Sequence, residues 1–133
     1  MRSYWLPLTY PPKIPKVLSG ECTQTIRPGR KYRVGDRVAF HGWGGTPYRS
    51  KWSFKTPYWE VIWITQITLF PDGIGYLYSE FGSRWTWASV DDVALLDGID
   101  PPTGEELGRV LLSMHKIPPE GLPAQIIRWK WSE

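Results

Sequence analysis

The stretch Gly20-Glu21-Cys22-Thr23-Gln24-Thr25-Ile26-Arg27, followed by Tyr32-Arg33-Val34-Gly35-Asp36-Arg37-Val38-Ala39-Phe40, decides how the chain reads. Ahead of it, Lys13 to Ser19 predicts a short helix whose buried face is Ile14, Val17 and Leu18. Gly20 is its stop, because glycine accepts the left-handed conformation in which helices end. Cys22 to Arg27 alternates too weakly to fix a buried face, yet its hydroxyl and β-branched residues favour a strand. Pro28-Gly29 is a turn dipeptide. Arg37 to His41 is a second strand, with Val38 and Phe40 facing one way and Arg37 and Ala39 the other. Two strands joined by a basic turn bring hydroxyls, a thiol and guanidinium groups together, the raw material of an anion or nucleotide pocket.

Working outward, Tyr4 to Tyr10 reads as a first strand, with Pro7 placing it at an edge or bulge. Gly42 to Pro57 carries several glycines and prolines and reads as a long functional loop within one core. Glu60 to Phe70, rich in Val, Ile, Thr and Trp, is the strongest strand. Pro71-Asp72-Gly73 turns it back into Ile74 to Ser79 as a hairpin. Trp85-Thr86-Trp87 is a further short strand. Ser89 to Asp97 is a short acidic helix stopped by Gly98. Thr103 to His115 is a better-marked one: Thr103 and Glu106 have capping-box spacing, and Leu107, Val110, Leu111 and Met114 form one apolar face. Ala124 to Trp131 closes the chain as a strand. The pattern predicts an α+β fold: one domain over residues 1–133, built as a small mixed β-barrel of five or six strands with two or three short peripheral helices.

The net charge of +3 is modest, but its distribution is not. Thr23 to Lys55 contains eight Arg or Lys against the single acid Asp36, whereas Ser89 to Glu106 contains six acids and no Arg or Lys. Such a split predicts one positive surface; the plainer alternative is solvated loops and a solvated helix face. Nine tryptophans are many for 133 residues. Some are core fillers, but Trp43, Trp52 and Trp59 sit beside Arg49, Lys51 and Lys55, and interleaved aromatics and cations suit base stacking with phosphate contact. One cysteine makes no internal disulfide, and the opening residues do not read as a secretory leader, so a cytoplasmic location is expected. No apolar run is long enough for a membrane span. One Cys and two His lack metal-ligand spacing, so neither metal nor cofactor is expected.

The order of parts resembles the ASCH family, small β-barrels of the PUA-like kind. Gly20, Thr25, Arg27, Gly35 and Asp36 stand at the family's motif positions, but Cys22 stands where the family has a lysine. Asp97-Gly98-Ile99, Glu105-Glu106-Leu107 and the closing Ala124 to Trp131 look like its later elements. The resemblance implies a PUA-like barrel and an RNA or nucleotide ligand. In the family's hydrolytic branch, which removes acetyl groups from modified cytidines, a lysine, a threonine and a glutamate form the site. By resemblance those roles fall on Cys22, Thr25 and Asp97, two of them changed in type.

Three readings follow. In the first, the chain is a binding module with a basic, aromatic-lined cleft around Arg27. Arg27, Arg30, Lys31, Arg33, Arg37, Arg49 and Lys51 engage phosphates while Trp43, Tyr48 and Trp52 stack on an unpaired base. In the second it hydrolyses an amide on a modified nucleoside, or RNA, at Cys22, Thr25, Arg27 and Asp97. In the third it is a protein-interaction barrel with exposed tryptophans as anchors. Each residue has a structural alternative: Arg27 in an ion pair with Asp36 or Asp97, Thr25 as a strand former, Cys22 as a small buried apolar group, and Asp97 as a turn residue before a glycine stop.

Overall fold

The structure is a computed structural model, described here over residues 1–43, 51–76 and 83–133. It contains strands β1 (Ser3–Pro7), β2 (Gln24–Pro28), β3 (Arg37–Trp43), β4 (Trp52–Lys55), β5 (Trp59–Phe70), β6 (Gly73–Tyr76), β7 (Arg84–Thr86) and β8 (Leu122–Trp129). The helices are α1 (Lys13–Ser19), α2 (Asp91–Leu96) and α3 (Gly104–Met114), with a 3-10 turn at Trp87–Ser89. Among the described residues no helix is long and apolar enough to cross a membrane.

Eight strands form one sheet around β5, a mixed α+β architecture. β5 is long enough to serve several partners. Its first residues pair with β3 and its last with β6, while Val61 to Leu69 pair with β8. β1 runs parallel to β3, β4 lies antiparallel on β3, and β2 lies antiparallel on β8. Two expectations need correction. The strands number eight, not five or six, and the sheet is not a closed barrel: β1 pairs with β3 and β2 with β8, with no ladder joining β1 to β2 among the described residues. The extra strands are short. β4 lies inside the stretch Gly42 to Pro57 that reads as loop, because four residues are too few to show an alternating pattern.

Local signals hold well elsewhere. α1 has the expected limits and ends at Gly20 with φ 84°, its N–H bonded to the Val17 carbonyl. A Cβ there would also stand 2.7 Å from the Trp131 ring, so both backbone and packing require glycine. Thr103 caps α3 by accepting from the Glu106 N–H at 3.2 Å. The Glu106 carboxylate turns to Arg109 and completes no reciprocal box.

The core has two parts. One lies between the sheet and α2–α3, around Ile67, Leu69, Ile74, Leu107 and Ile126. The other lies under α1, around Val17, Val38, Phe40, Val61 and Trp129. Trp59 and Trp129 stack within the second at 6.2 Å, so Trp59 is a core residue and no part of a surface reader. Tyr10 ties the segment after β1 to the α2–α3 loop: its hydroxyl donates to the Asp100 carbonyl and accepts from the Asp100 N–H. That bond fixes two walls of the cavity described next.

Candidate functional site

Period-two alternation turns Thr25 and Arg27 to the same side of β2. There they line a cavity of about 270 Å³. The end of β1 and the following Leu8–Tyr10 form one side, α3 contributes the apolar side chains Leu107, Val110, Leu111 and Met114, and Lys13, Asp97 and His115 supply further polar groups. Residues distant in sequence meet here because β2, α1, the end of α2 and α3 converge where the sheet stays open.

Arg27 donates from Nη2 to the Pro7 carbonyl at 2.8 Å, linking β2 to the end of β1 by a side chain where no strand ladder does so. Its guanidinium also stands 6.0 Å from the Phe40 ring centre. Asp36 is held by backbone instead: Oδ1 accepts from the Arg2 N–H at 3.0 Å and Oδ2 from the Arg33 N–H at 2.9 Å. Asp97 is ion-paired with Lys13 at 3.2 Å between Nζ and Oδ2. Arg27 reaches Asp97 only as a through-space charge.

Lys13 is the site residue that the sequence reading omits. It opens α1, and its side chain and that of Asp97 are only 6% and 7% exposed. A lysine at the start of a helix by itself reads as a solvated end; here Lys13 and Val17 are the buried residues of α1, and Leu18, expected on that face, is exposed. Asp97 follows the last residue of α2, where the helix dipole disfavours a carboxylate. Burial pushes its pKa up. The Lys13 charge and hydrogen bond, the Arg27 charge and the Gln24 amide pull the other way without cancelling the rise. Gln24 Nε2 and Asp97 Oδ1 nonetheless form no hydrogen bond of good geometry. His115 is half-buried at the cavity, and burial, then the Arg27 charge, push its pKa down.

Cys22 lies behind this site and does not line it. It is 2% exposed, and its thiol donates toward the carbonyls of Gln24 at 3.3 Å and Leu96 at 3.4 Å. Burial raises its pKa despite the nearby Lys13 charge. That is the environment of a protonated packing residue, not of an activated thiolate.

The remaining basic and aromatic candidates fall in other places. Arg30 lies over the Tyr4 ring at 4.7 Å, and Lys31 and Arg33 line a separate polar cleft beside β1. Arg37 lies over Tyr58 at 5.6 Å. Trp52 stacks on His41 at 4.0 Å and Trp43 meets the same imidazole edge-on. Trp5 joins this group through Trp52 and Tyr58, each at 5.1 Å. The strip belongs to the face of β3 opposite Phe40, because Arg37, His41 and Trp43 alternate with the core residues Val38 and Phe40. Arg27 approaches the Phe40 side, and Trp43 and Trp52 do not line its cavity. Lys51 is exposed just before β4; Tyr48 and Arg49 lie outside the described residues.

The arrangement offers a fixed guanidinium, a threonine hydroxyl, a buried ammonium–carboxylate pair and an apolar wall. Among the described residues no cluster of His, Cys, Asp and Glu is suited to a metal ion. No protein-family model, no curated protein and no solved structure matches the chain.

Proposed function

We propose that the cavity binds a nucleoside or nucleotide, free or as an unpaired residue of RNA. One observation carries this reading: Thr25 and Arg27 of β2 line one cavity with Lys13 and Asp97, which are distant from them in sequence. A cavity of about 270 Å³ suits one small molecule or one unpaired residue and not a length of polymer. A flat base fits against the apolar residues of α3, while Arg27 meets a phosphate or carbonyl oxygen. The resemblance of the motif residues to the ASCH family supports the same ligand class. The test is calorimetric titration with nucleosides and 5′-nucleotides, wild type against Arg27→Ala and Thr25→Val. Loss of binding in both variants supports the reading, and unchanged binding removes it.

A second reading, amide hydrolysis on a modified nucleoside, is favoured by the Lys13–Asp97 pair. It supplies in space the lysine that Cys22 replaces in sequence. In this scheme Lys13, having passed its proton to Asp97, takes a proton from water as that water attacks the amide carbonyl. The tetrahedral intermediate then collapses by breaking the C–N bond, Lys13 returns the proton to the departing cytidine nitrogen, and acetate is released. Arg27 stabilises the resulting oxyanion in this scheme. Release of acetate from an acetylated cytidine, lost in Lys13→Met, is the measurement that separates hydrolysis from binding alone.

A further inference from the structure

A second cleft, of about 230 Å³, opens beside the start of β1 and is lined by Met1, Arg2, Tyr4, Lys31, Arg33 and Asp36. Three of its side chains are cationic and one is acidic. The acid is already engaged: both Asp36 oxygens accept backbone N–H groups, from Arg2 and Arg33. The turn that carries it is held by two further bonds to β5, Gly35 N–H to the Val61 carbonyl at 2.9 Å and Val61 N–H to the Asp36 carbonyl at 2.7 Å. Asp36 therefore acts as a brace for the backbone around the cleft.

The side chains of Arg2, Lys31 and Arg33 form no ion pair among the described residues. Three cations around one concave space, on braced backbone, leave a positive surplus that a solvated surface run would spread out. Arg30 adds a fourth positive charge nearby, over the ring of Tyr4. Guanidinium groups meet phosphate oxygens in pairs, and the lysine adds a point charge.

We infer that this cleft is a phosphate-binding site, separate from the Arg27 cavity and independent of what that cavity holds. The phosphate is that of a small ester or of a nucleic-acid backbone, since both present the same oxygens.

The test is an amide-resolved NMR titration of the full chain with inorganic phosphate at constant ionic strength, beside a chloride control. The site predicts saturable shifts at Arg2, Tyr4 and Arg33, with at least tenfold weaker binding in Lys31→Gln/Arg33→Gln. Thr25→Val, in the other cavity, leaves these shifts unchanged. Both replaced side chains are exposed, so the double variant keeps the fold. Linear, unsaturated shifts, equal response to chloride, or shifts indifferent to the double substitution would overturn the site. Tighter binding of a 5′-mononucleotide than of inorganic phosphate assigns a small ester. Affinity that grows with the length of single-stranded RNA, and falls steeply with salt, assigns the backbone. Failure of the Arg27 cavity to bind nucleosides would leave these shifts in place, so the two proposals fail separately.

Discussion

Lys13 Nζ lies 3.2 Å from Asp97 Oδ2, with both side chains almost wholly withdrawn from water. A buried pair of this kind contributes little net stability, because desolvating two ions offsets most of their attraction, but losing one partner strands the other. Lys13→Met and Asp97→Leu are each expected to destabilise the fold by about 3–5 kcal/mol, and the double variant to recover most of that loss. Urea unfolding of the three variants checks this, and additive losses would contradict it.

The same pair sets a pH dependence. Burial raises the Asp97 pKa in the folded chain, so the folded state holds that proton more firmly than the unfolded state does. The contribution of Asp97 to stability is therefore full below the usual carboxylate range and is lost as pH rises from there through the raised value. Wild type should lose stability relative to Asp97→Asn across that window. Parallel stability–pH curves would show that Asp97 titrates normally.

Arg27 bridges β2 to the Pro7 carbonyl, so its removal should affect fold and ligand together. A hydrogen bond from a charged group contributes about 1.5–3 kcal/mol, and Arg27→Ala should lose an amount in that range. Arg27→Lys keeps the charge but not the forked geometry, so it should restore stability better than nucleotide affinity. Equal recovery of both would make Arg27 a point charge only.

Cys22 should behave as a packing residue. Its thiol is buried and faces two carbonyls. Modification by an aromatic disulfide reagent should await unfolding, and Cys22→Ala should keep ligand binding and any amidase turnover. Rapid labelling of the native chain, or loss of turnover in Cys22→Ala, would return the thiol to the site.

Gly20 is the sharpest backbone requirement. Its φ of 84° and the Trp131 ring at 2.7 Å from a built Cβ oppose any side chain. Gly20→Ala should cost about 1–2 kcal/mol from the left-handed backbone alone, and more from displacing Trp131. A neutral change in thermal unfolding would mean that the Trp131 contact is readily given up.

Much of the local structure was legible because its signals are local. The glycine that ends α1, the threonine that caps α3 and the apolar run of β5 each act over a few residues. Thr25 and Arg27 were singled out by their places in the ASCH-like motif, and only the folded strand shows that both line one cavity. What stayed hidden depends on distant partners. Nothing near Lys13 announces that Asp97 will meet it, since that contact exists only once α1 and the end of α2 pack together. The open sheet was hidden for the same reason: β1 pairs with β3 and β2 with β8, partners far away in sequence. Trp43 and Trp52 pack around His41 and do not line the Arg27 cavity, because β3 sends Phe40 one way and His41 and Trp43 the other.

The proposal stands or falls on whether the cavity bounded by Lys13, Thr25, Arg27 and Asp97 takes up a nucleoside or nucleotide. The most direct measurement is an amide-resolved NMR titration of the wild-type chain with cytidine and with its 5′-monophosphate, repeated on Thr25→Val. Saturable shifts centred on Thr25, Arg27, Asp97 and His115 are expected, abolished or strongly weakened in the variant. Shifts absent from these residues, or unchanged by Thr25→Val, would contradict it.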